Sequence, residues 1–245
     1  HQFDSIHQRF CHALVSSNLG DPSVKKLAHG RSRSLTTRSQ LLMFLLWLRQ
    51  YPIERFLSWI MGVSQKQVYQ YNRATLLVLF KYYRRMVCFP NYETRVKNSM
   101  RFYGAMTSIV VDGTEQQVVV PLDRLYEMAT YSGKKRKHTF TKLIAVSPYG
   151  HLYFVSESEV GSMNDMSVYN LTGNCLHGNL KDDEWLMADK GYTGLLSRFE
   201  RIIVPIHGQW NELNVDERKY NASVATVRTV VENVNREFKK FKICS

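Results

Sequence analysis

The stretch Ser108-Ile-Val-Val-Asp112-Gly-Thr114 decides the fold of this chain. Its β-branched centre is typical of a buried strand. We predict a strand over residues 108–111 that ends at Asp112 and presents this carboxylate at the edge of a sheet. A second apolar run, residues 184–188, is also followed by an acid, Asp189, and predicts a neighbouring strand. The two strands would therefore bring two aspartates to one edge of the sheet.

The chain around these two runs mixes strands with helices. Further strands are predicted at residues 116–120, 140–147, 152–156 and 202–204, and helices at residues 164–171 and 216–241. This mixture favours the α/β class, with a mixed sheet flanked by helices. Residues 1–100 instead carry apolar residues at helical spacing and predict an all-α domain. We therefore expect two domains, residues 1–100 and residues 101–245.

The helical domain contains a short turn with a possible function. Gly62-Val63-Ser64 separates two predicted helices, and Ser64 is suited to cap the second one. This arrangement is typical of a helix-turn-helix, whose second helix reads DNA. The residues that would face DNA are Gln65, Lys66, Gln67, Gln70 and Arg73. The same pattern is also compatible with a plain helical bundle that has a polar surface.

The composition favours a polyanionic partner. The 245 residues include 33 Lys and Arg against 21 Asp and Glu, which gives a formal charge of +12 and a pI near 9.6. Such a balance indicates nucleic acid before membrane, without choosing between DNA and RNA. The longest apolar run, residues 41–48, is too short for a membrane span. The four cysteines are scattered, as expected of reduced thiols in an intracellular protein.

A third acid, Glu232, lies within the predicted C-terminal helix. Arg228 and Lys239 lie four residues before it and seven residues after it, on the same helical face. Mg²⁺ binds oxygen ligands and usually takes one or two carboxylates together with substrate phosphates. Two aspartates after strands and a helical glutamate could therefore hold ions for phosphoryl transfer. Each acid taken alone is more often an ordinary loop or cap residue than a metal ligand.

Two further segments allow more than one interpretation. Asn164 or Asp165 could cap the helix that follows, or Asp165 could play a supporting role near the metal ions. A basic run of four residues could be a solvated loop, but beside a carboxylate cluster we interpret it as a clamp on backbone phosphates. It consists of Lys134, Lys135, Arg136 and Lys137.

Five motifs together resemble those of a known family. They are residues 111–114 (VDGT), 131–138 (YSGKKRKH), 161–165 (GSMND), 188–192 (ADKGY), and Asn221 followed by Arg228-x-x-x-Glu232. Their order and spacing resemble those of DDE transposases of the IS5 and PIF/Harbinger type, and the helix-turn-helix before them is similar to the N-terminal region of that family. Two positions depart from the family pattern: Ala225 replaces a tyrosine and Asn164 replaces a histidine.

The resemblance implies an RNase H-like core with a mixed five-stranded sheet. It also implies a nuclease and strand-transfer activity on transposon terminal inverted repeats and target DNA, with two Mg²⁺ ions, replaceable by Mn²⁺. The catalytic and metal-binding triad would fall on Asp112, Asp189 and Glu232, supported by Arg228 and Lys239. A homodimer or larger assembly on double-stranded DNA, and in eukaryotes a nuclear location and a separate DNA-binding partner protein, are further implications.

Two other functions are compatible with the same residues. The chain could be a domesticated relative that binds DNA and no longer cleaves it, although all three acids are present. It could also be an RNase H-like nuclease acting on RNA or hybrids. The predicted helix-turn-helix and the residues that flank Asp189 favour the transposase over this second alternative.

Overall fold

The computed structural model describes residues 2–16, 35–209 and 211–245. The chain divides into two compact units. The first ends at Met86 and also includes Lys239–Ile243. The second consists of Val87–Phe238 and Cys244–Ser245. This division comes earlier than the boundary we predicted at residue 100. Residues 87–100 join the second unit because Arg95 forms a buried ion pair there with Glu184, at 2.5 Å. Residues 17–34 of the predicted helical domain lie outside the described residues.

The first unit is helical, as predicted. Its helices are α1 (Gln2–Ser16), α2 (Thr37–Gln50), α3 (Glu54–Met61) and α4 (Gln65–Tyr83). Apolar residues at helical spacing bury Leu41 and Phe44 of α2 against Phe10 and Leu14 of α1. Along the described residues, no helix has the length and apolar character needed to span a membrane.

A three-residue turn joins α3 to α4. Gly62 ends α3 in the left-handed conformation, with φ of 64°, which glycine adopts without steric cost. Ser64 then caps α4, and its side chain and that of Gln67 form a reciprocal capping box. The helix start predicted at Ser64 is therefore found, and Gln67 takes part in it.

The second unit contains the sheet. Its strands are β1 (Met100–Phe102), β2 (Ala105–Gln117), β3 (Tyr131–Ser132), β4 (Lys137–Val146), β5 (Leu152–Val155), β6 (Glu159–Val160), β7 (Glu184–Met187) and β8 (Ile202–Ile203). Its helices are α5 (Tyr92–Lys97), α6 (Arg124–Thr130), α7 (Asp165–Thr172), α8 (Asn174–Gly178) and α9 (Val215–Lys239), with 3₁₀ turns at Lys190–Ser197 and Lys242–Cys244.

Five of these strands form a mixed sheet, as we expected for an RNase H-like core. Their spatial order is β5, β4, β2, β7, β8. The first three pair antiparallel, and β7 and β8 run parallel to β2. Short strands β1, β3 and β6 pair with β2 or β4 at the margins. The predicted fold class is therefore confirmed.

Helices cover both faces of this sheet. Val110 of β2 and Met187 of β7 pack against α9 through residues such as Val231. On the opposite face, Val111 packs in one cluster with Tyr169 of α7 and with the 3₁₀ turn that follows β7. Because successive residues of a strand point to opposite faces, the run from Ile109 to Val111 makes β2 apolar on both sides just before Asp112.

One strand prediction is wrong in a way that matters for the site. We expected two strands, 108–111 and 116–120, with Asp112 at the end of the first. Strand β2 instead continues from Ala105 to Gln117, because β4 pairs with it along this length, with Asp112 opposite Ile144. The described pairing with β7 stops at Val110. Asp112 therefore lies inside β2 but beyond the end of its parallel neighbour.

Candidate active site

The strand register brings Asp112 and Asp189 to the same level of the sheet. Val110 pairs with Met187 in the parallel ladder, and each aspartate lies two residues further along its own chain. By the alternation of side chains, Asp112 shares the face of Val110, which is covered by α9. Asp189 lies two residues after the end of β7 and directly before the 3₁₀ turn that begins at Lys190, close to the strand end that the sequence predicts.

Helix α9 contacts both aspartates. Nη1 of Arg228 donates to Oδ1 of Asp189 at 2.8 Å, and Nη2 lies 3.8 Å from Oε1 of Glu232. Asn235 donates from Nδ2 to Oδ2 of Asp112 at 2.9 Å. The side chain of Arg228 is only 12% exposed, so its pairing with Asp189 is less screened by solvent than a surface ion pair. Helix α9 therefore supplies a cation and an amide to the two aspartates.

The carboxyl group of Asp112 is hard to ionise in this setting. Burial raises its pKa to about 6, and the charges of Asp189 and Asp165 act in the same direction. The Arg228 guanidinium and the backbone N–H of Gly113 oppose this rise. Burial is therefore the main reason for the raised pKa of Asp112, and the charge of Arg228 opposes it.

Glu232 lies on the more open side of the site. Its side chain is 57% exposed, and it approaches the aspartates through its pairing with Arg228. Lys239 is exposed at the last residue of α9. Among the described residues, no three histidine, cysteine, aspartate or glutamate side chains lie close enough together to hold a metal ion. The donor set nevertheless suits a hard cation, because it consists of carboxylates and such ions bind oxygen ligands.

Asp165, which we expected to be a cap or a supporting residue, lies beside the two aspartates. The cap of α7 is Asn164, whose Oδ1 accepts from the N–H of Ser167 at 2.8 Å. The carboxylate of Asp165 is left to face Gly113 and Gly191, and Lys134 lies 3.9 Å from its Oδ2. Three aspartates therefore gather here, two from strands or their ends and one at the start of a helix.

Asn235 is a site residue that the sequence patterns did not single out. It lies three residues after Glu232 and seven after Arg228, so helical spacing alone puts it on their face. It is 8% exposed, which is unusual for an asparagine within a helix. A polar residue on the buried face of an amphipathic helix was the available signal. Its partner could not be read from the sequence, because Asp112 is distant in the chain.

The basic run forms the turn of the β3–β4 hairpin. All four of its side chains, at residues 134–137, are exposed. Arg136 has a left-handed backbone with φ of 54°, and its N–H donates to the carbonyl of Ser132 at 2.7 Å. Lys137 donates to Gln117 at 3.1 Å. Through Lys134, this turn reaches the aspartates of the site.

The candidate DNA-facing residues of the first unit differ in their surroundings. Gln65, Lys66 and Arg73 are exposed on α4, and Gln70 is partly buried. Arg73 donates to the hydroxyl of Tyr69 at 3.0 Å. Gln67 uses its Oε1 to accept from the N–H of Ser64 at 2.9 Å, so this atom serves the helix cap.

A family model for the DDE superfamily endonucleases matches residues 111–245, the segment that begins just before Asp112 and contains all three predicted acids. The chain belongs to the DDE superfamily endonucleases. A probable transposase for insertion sequence element IS702 from Microchaete diplosiphon is 25% identical over 225 residues, which are 90% of this chain and 76% of that protein. A chain in the crystal structure of the Mos1 strand transfer complex aligns with 96% of this endonuclease and 84% of its own length, at 10% identity and a TM-score of 0.25. A TM-score this low carries no structural argument.

Proposed function

We propose that this chain is a DNA transposase of the IS5 and PIF/Harbinger type, which cleaves transposon ends and joins them to target DNA. The observation that carries the proposal is the register of β2 and β7, which aligns Asp112 with Asp189 beneath the helix of Arg228 and Glu232. The family match and the similarity to the probable IS702 transposase support it. The proposed catalytic and metal-binding residues are Asp112, Asp189 and Glu232.

The proposed cofactor is a pair of Mg²⁺ ions, which Mn²⁺ could replace. Asp112, Asp189 and Glu232 would hold them, and the ions would supply positive charge at the attacked phosphodiester. The ion pairs of Arg228 support this assignment, because they connect Asp189 with Glu232, and carboxylates are ligands that Mg²⁺ takes. The Arg228 guanidinium would serve as the counter-charge of these acids when no cation is bound.

The other residues of the site would then act by position and charge. Asn235 would hold Asp112 in one orientation through its 2.9 Å hydrogen bond. Once cations neutralise the acids, Arg228 would be free to bind a phosphate of the DNA, for which the planar guanidinium is well suited. Most of the rate acceleration would come from positioning the phosphodiester and stabilising its developing charge.

DNA would be bound by two basic elements. The hairpin turn at residues 134–137 would contact backbone phosphates near the acids, and α4 would contact DNA through Gln65, Lys66, Gln70 and Arg73 as part of a helix-turn-helix. The net charge of +12 supports a polyanionic substrate. We also propose that the protein acts as a homodimer or larger assembly on paired DNA ends, which a separate DNA-binding protein could join.

The test of the catalytic proposal is cleavage of duplex DNA that carries the cognate terminal repeats, in Mg²⁺ or Mn²⁺. The variants Asp112→Asn, Asp189→Asn and Glu232→Gln keep the shape of each side chain and remove its charge. We expect all three to bind the DNA and to lose cleavage and strand transfer. DNA binding without cleavage by the wild-type protein would instead support a domesticated DNA-binding role. Equal cleavage of an RNA:DNA hybrid would favour a general RNase H-like nuclease.

The phosphate contacts can be tested separately through salt dependence. The double variant Lys134→Ala with Lys135→Ala should bind DNA more weakly, and the slope of log K against log salt should become shallower by about 0.9 for each phosphate that is no longer neutralised. Lys181→Ala removes another exposed lysine and serves as the control. An unchanged slope in the double variant would exclude these lysines as phosphate ligands.

A further inference from the structure

Asp165 occupies a position that its role in α7 does not explain. It is the first residue of that helix, but the capping bond is made by Asn164. An acid in the first turn of a helix is stabilised by the helix dipole whatever the orientation of its side chain. Here the carboxylate points away from the helix, toward the backbone that follows Asp112 and Asp189.

Two glycines make room for this carboxylate. A Cβ atom built on Gly113 would lie 2.9 Å from Oδ1 of Asp165, and one built on Gly191 would lie 3.1 Å from Oδ2. Neither glycine has a positive φ, so the backbone conformation does not require glycine at either position. Gly113 directly follows Asp112, and Gly191 comes two residues after Asp189. The backbone beside Asp112 and Asp189 therefore carries no side chain at the position where the carboxylate of Asp165 lies.

A buried hydroxyl points into the same space. Tyr192 is 1% exposed, and its hydroxyl has no hydrogen-bond partner among the described residues. This oxygen would lie 3.5 Å from a Cβ on Gly113, beside Oδ1 of Asp165. A phenol is protonated at neutral pH, so this hydroxyl is a buried donor without an acceptor among the described residues.

An unpartnered buried hydroxyl beside three acids indicates a missing ligand. Buried polar groups almost always have a hydrogen-bond partner, and a buried group without one is destabilising. The ligand must bring positive charge for the acids and an oxygen acceptor for the phenol. A hydrated divalent cation has both properties.

Building on the proposed function, we propose that Asp165 is a fourth acid of the centre, which holds, through a bound water molecule, a divalent cation carried by Asp112 and Asp189. Tyr192 donates a hydrogen bond to a water molecule bound in the same space. In the metal-free protein, Lys134 supplies the counter-charge of Asp165 from 3.9 Å. Its side chain is 72% exposed, so it can leave at little cost when a cation binds.

The test is Mn²⁺ binding by electron paramagnetic resonance, with the full chain bound to duplex DNA in the absence of turnover. Asp165→Asn should raise the dissociation constant for Mn²⁺ by about 10- to 100-fold. Asp216→Asn is the matched control, because Asp216 is also an acid in the first turn of a helix and its side chain is 93% exposed. This control should leave the constant unchanged.

Two further variants separate a direct role from a folding defect. Gly113→Ala adds no charge but displaces the carboxylate of Asp165, so it should also weaken Mn²⁺ binding. Tyr192→Phe removes only the hydroxyl and should weaken binding by a smaller factor. Circular dichroism and thermal melting of each variant identify any loss of fold.

The outcomes distinguish this inference from the function on which it rests. If Asp165→Asn binds Mn²⁺ as the wild type does while Asp112→Asn does not, the fourth acid is excluded and the triad stands. If the wild-type protein binds no Mn²⁺ with or without DNA, both proposals fail. Loss of binding in Asp165→Asn and Gly113→Ala, with Asp216→Asn unaffected, establishes the fourth acid.

Discussion

Replacing Asn235 with aspartate should make the stability of the metal-free protein strongly dependent on pH. Asn235 now donates to Asp112 from 2.9 Å. In Asn235→Asp, an acid oxygen replaces this donor in a side chain of nearly the same shape. Two like charges about 4 Å apart repel by about 4 kcal/mol at an effective dielectric constant of 20. This energy is equivalent to about three pKa units, so the pair would hold one proton at neutral pH.

The sign of the effect follows from the pKa of Asp112. Burial already raises that pKa to about 6 from 3.8, so between these values the folded state binds more protons than the unfolded state and stability falls as pH rises. In Asn235→Asp the pair of acids keeps its shared proton to a higher pH, so the unfolding free energy continues to fall well above pH 6. We expect little change in the unfolding free energy at pH 5 and a loss of up to about 4 kcal/mol at pH 8.

The assay is urea denaturation between pH 5 and pH 8 with a chelator present. Asn233→Asp is the matched control, because it makes the same change on an exposed face of α9. Its pH dependence should follow that of the wild type. If the curve of Asn235→Asp also follows the wild type, the hydrogen bond between Asn235 and Asp112 is refuted as a feature of the folded protein.

Three other predictions concern the framework of the second unit. Glu184→Gln leaves the buried charge of Arg95 unpaired and should lower the unfolding free energy by about 3–5 kcal/mol in urea denaturation; a loss below about 1 kcal/mol would contradict the pairing. Gly161→Ala places a Cβ atom 2.6 and 2.7 Å from two backbone carbonyl oxygens and should lower the unfolding free energy by at least about 1–3 kcal/mol. Gly133→Ala is the control, because a Cβ atom there meets no neighbour, and it should not lower the melting temperature. Burial lowers the pKa of His177 to about 4 from 6.5, so the unfolding free energy should fall as the pH drops through this window. The fall should be less than about 1.4 kcal/mol per pH unit, because the ring is only half-buried. His177→Gln should remove this pH dependence.

The sequence predicted those features that short-range patterns determine. The capped start of α4 at Ser64, the α/β class and the placement of Asp189 close to the end of β7 all depend on residues close together in the chain. The end of β2 could not be predicted in the same way. Its continuation through Asp112 depends on pairing with β4, which comes later in the chain. Local polarity after residue 111 indicated a break where tertiary pairing maintains the strand.

The details of the site depended on long-range contacts. The sequence allowed either Asn164 or Asp165 to cap α7. In the folded protein the side chain of Asn164 forms the capping hydrogen bond. Gly113 and Gly191 make room for a carboxylate from a helix, which could not be predicted because Asp165 is distant from both in the chain. Asn235 carried a signal in its buried helical position, yet only the fold identifies Asp112 as its partner. Sequence patterns locate such residues more readily than they identify their partners.

The most direct test of the central claim is the single-turnover rate of DNA cleavage by Asp112→Asn. Three observations concern Asp112: the strand register places it level with Asp189, Asn235 donates a hydrogen bond to it, and the charges of neighbouring acids act on its pKa. The measurement should use saturating duplex DNA with the cognate terminal repeats and Mn²⁺. We predict normal DNA binding and a rate at least about 100-fold below that of the wild type. Cleavage by Asp112→Asn at the wild-type rate would contradict the proposed active site.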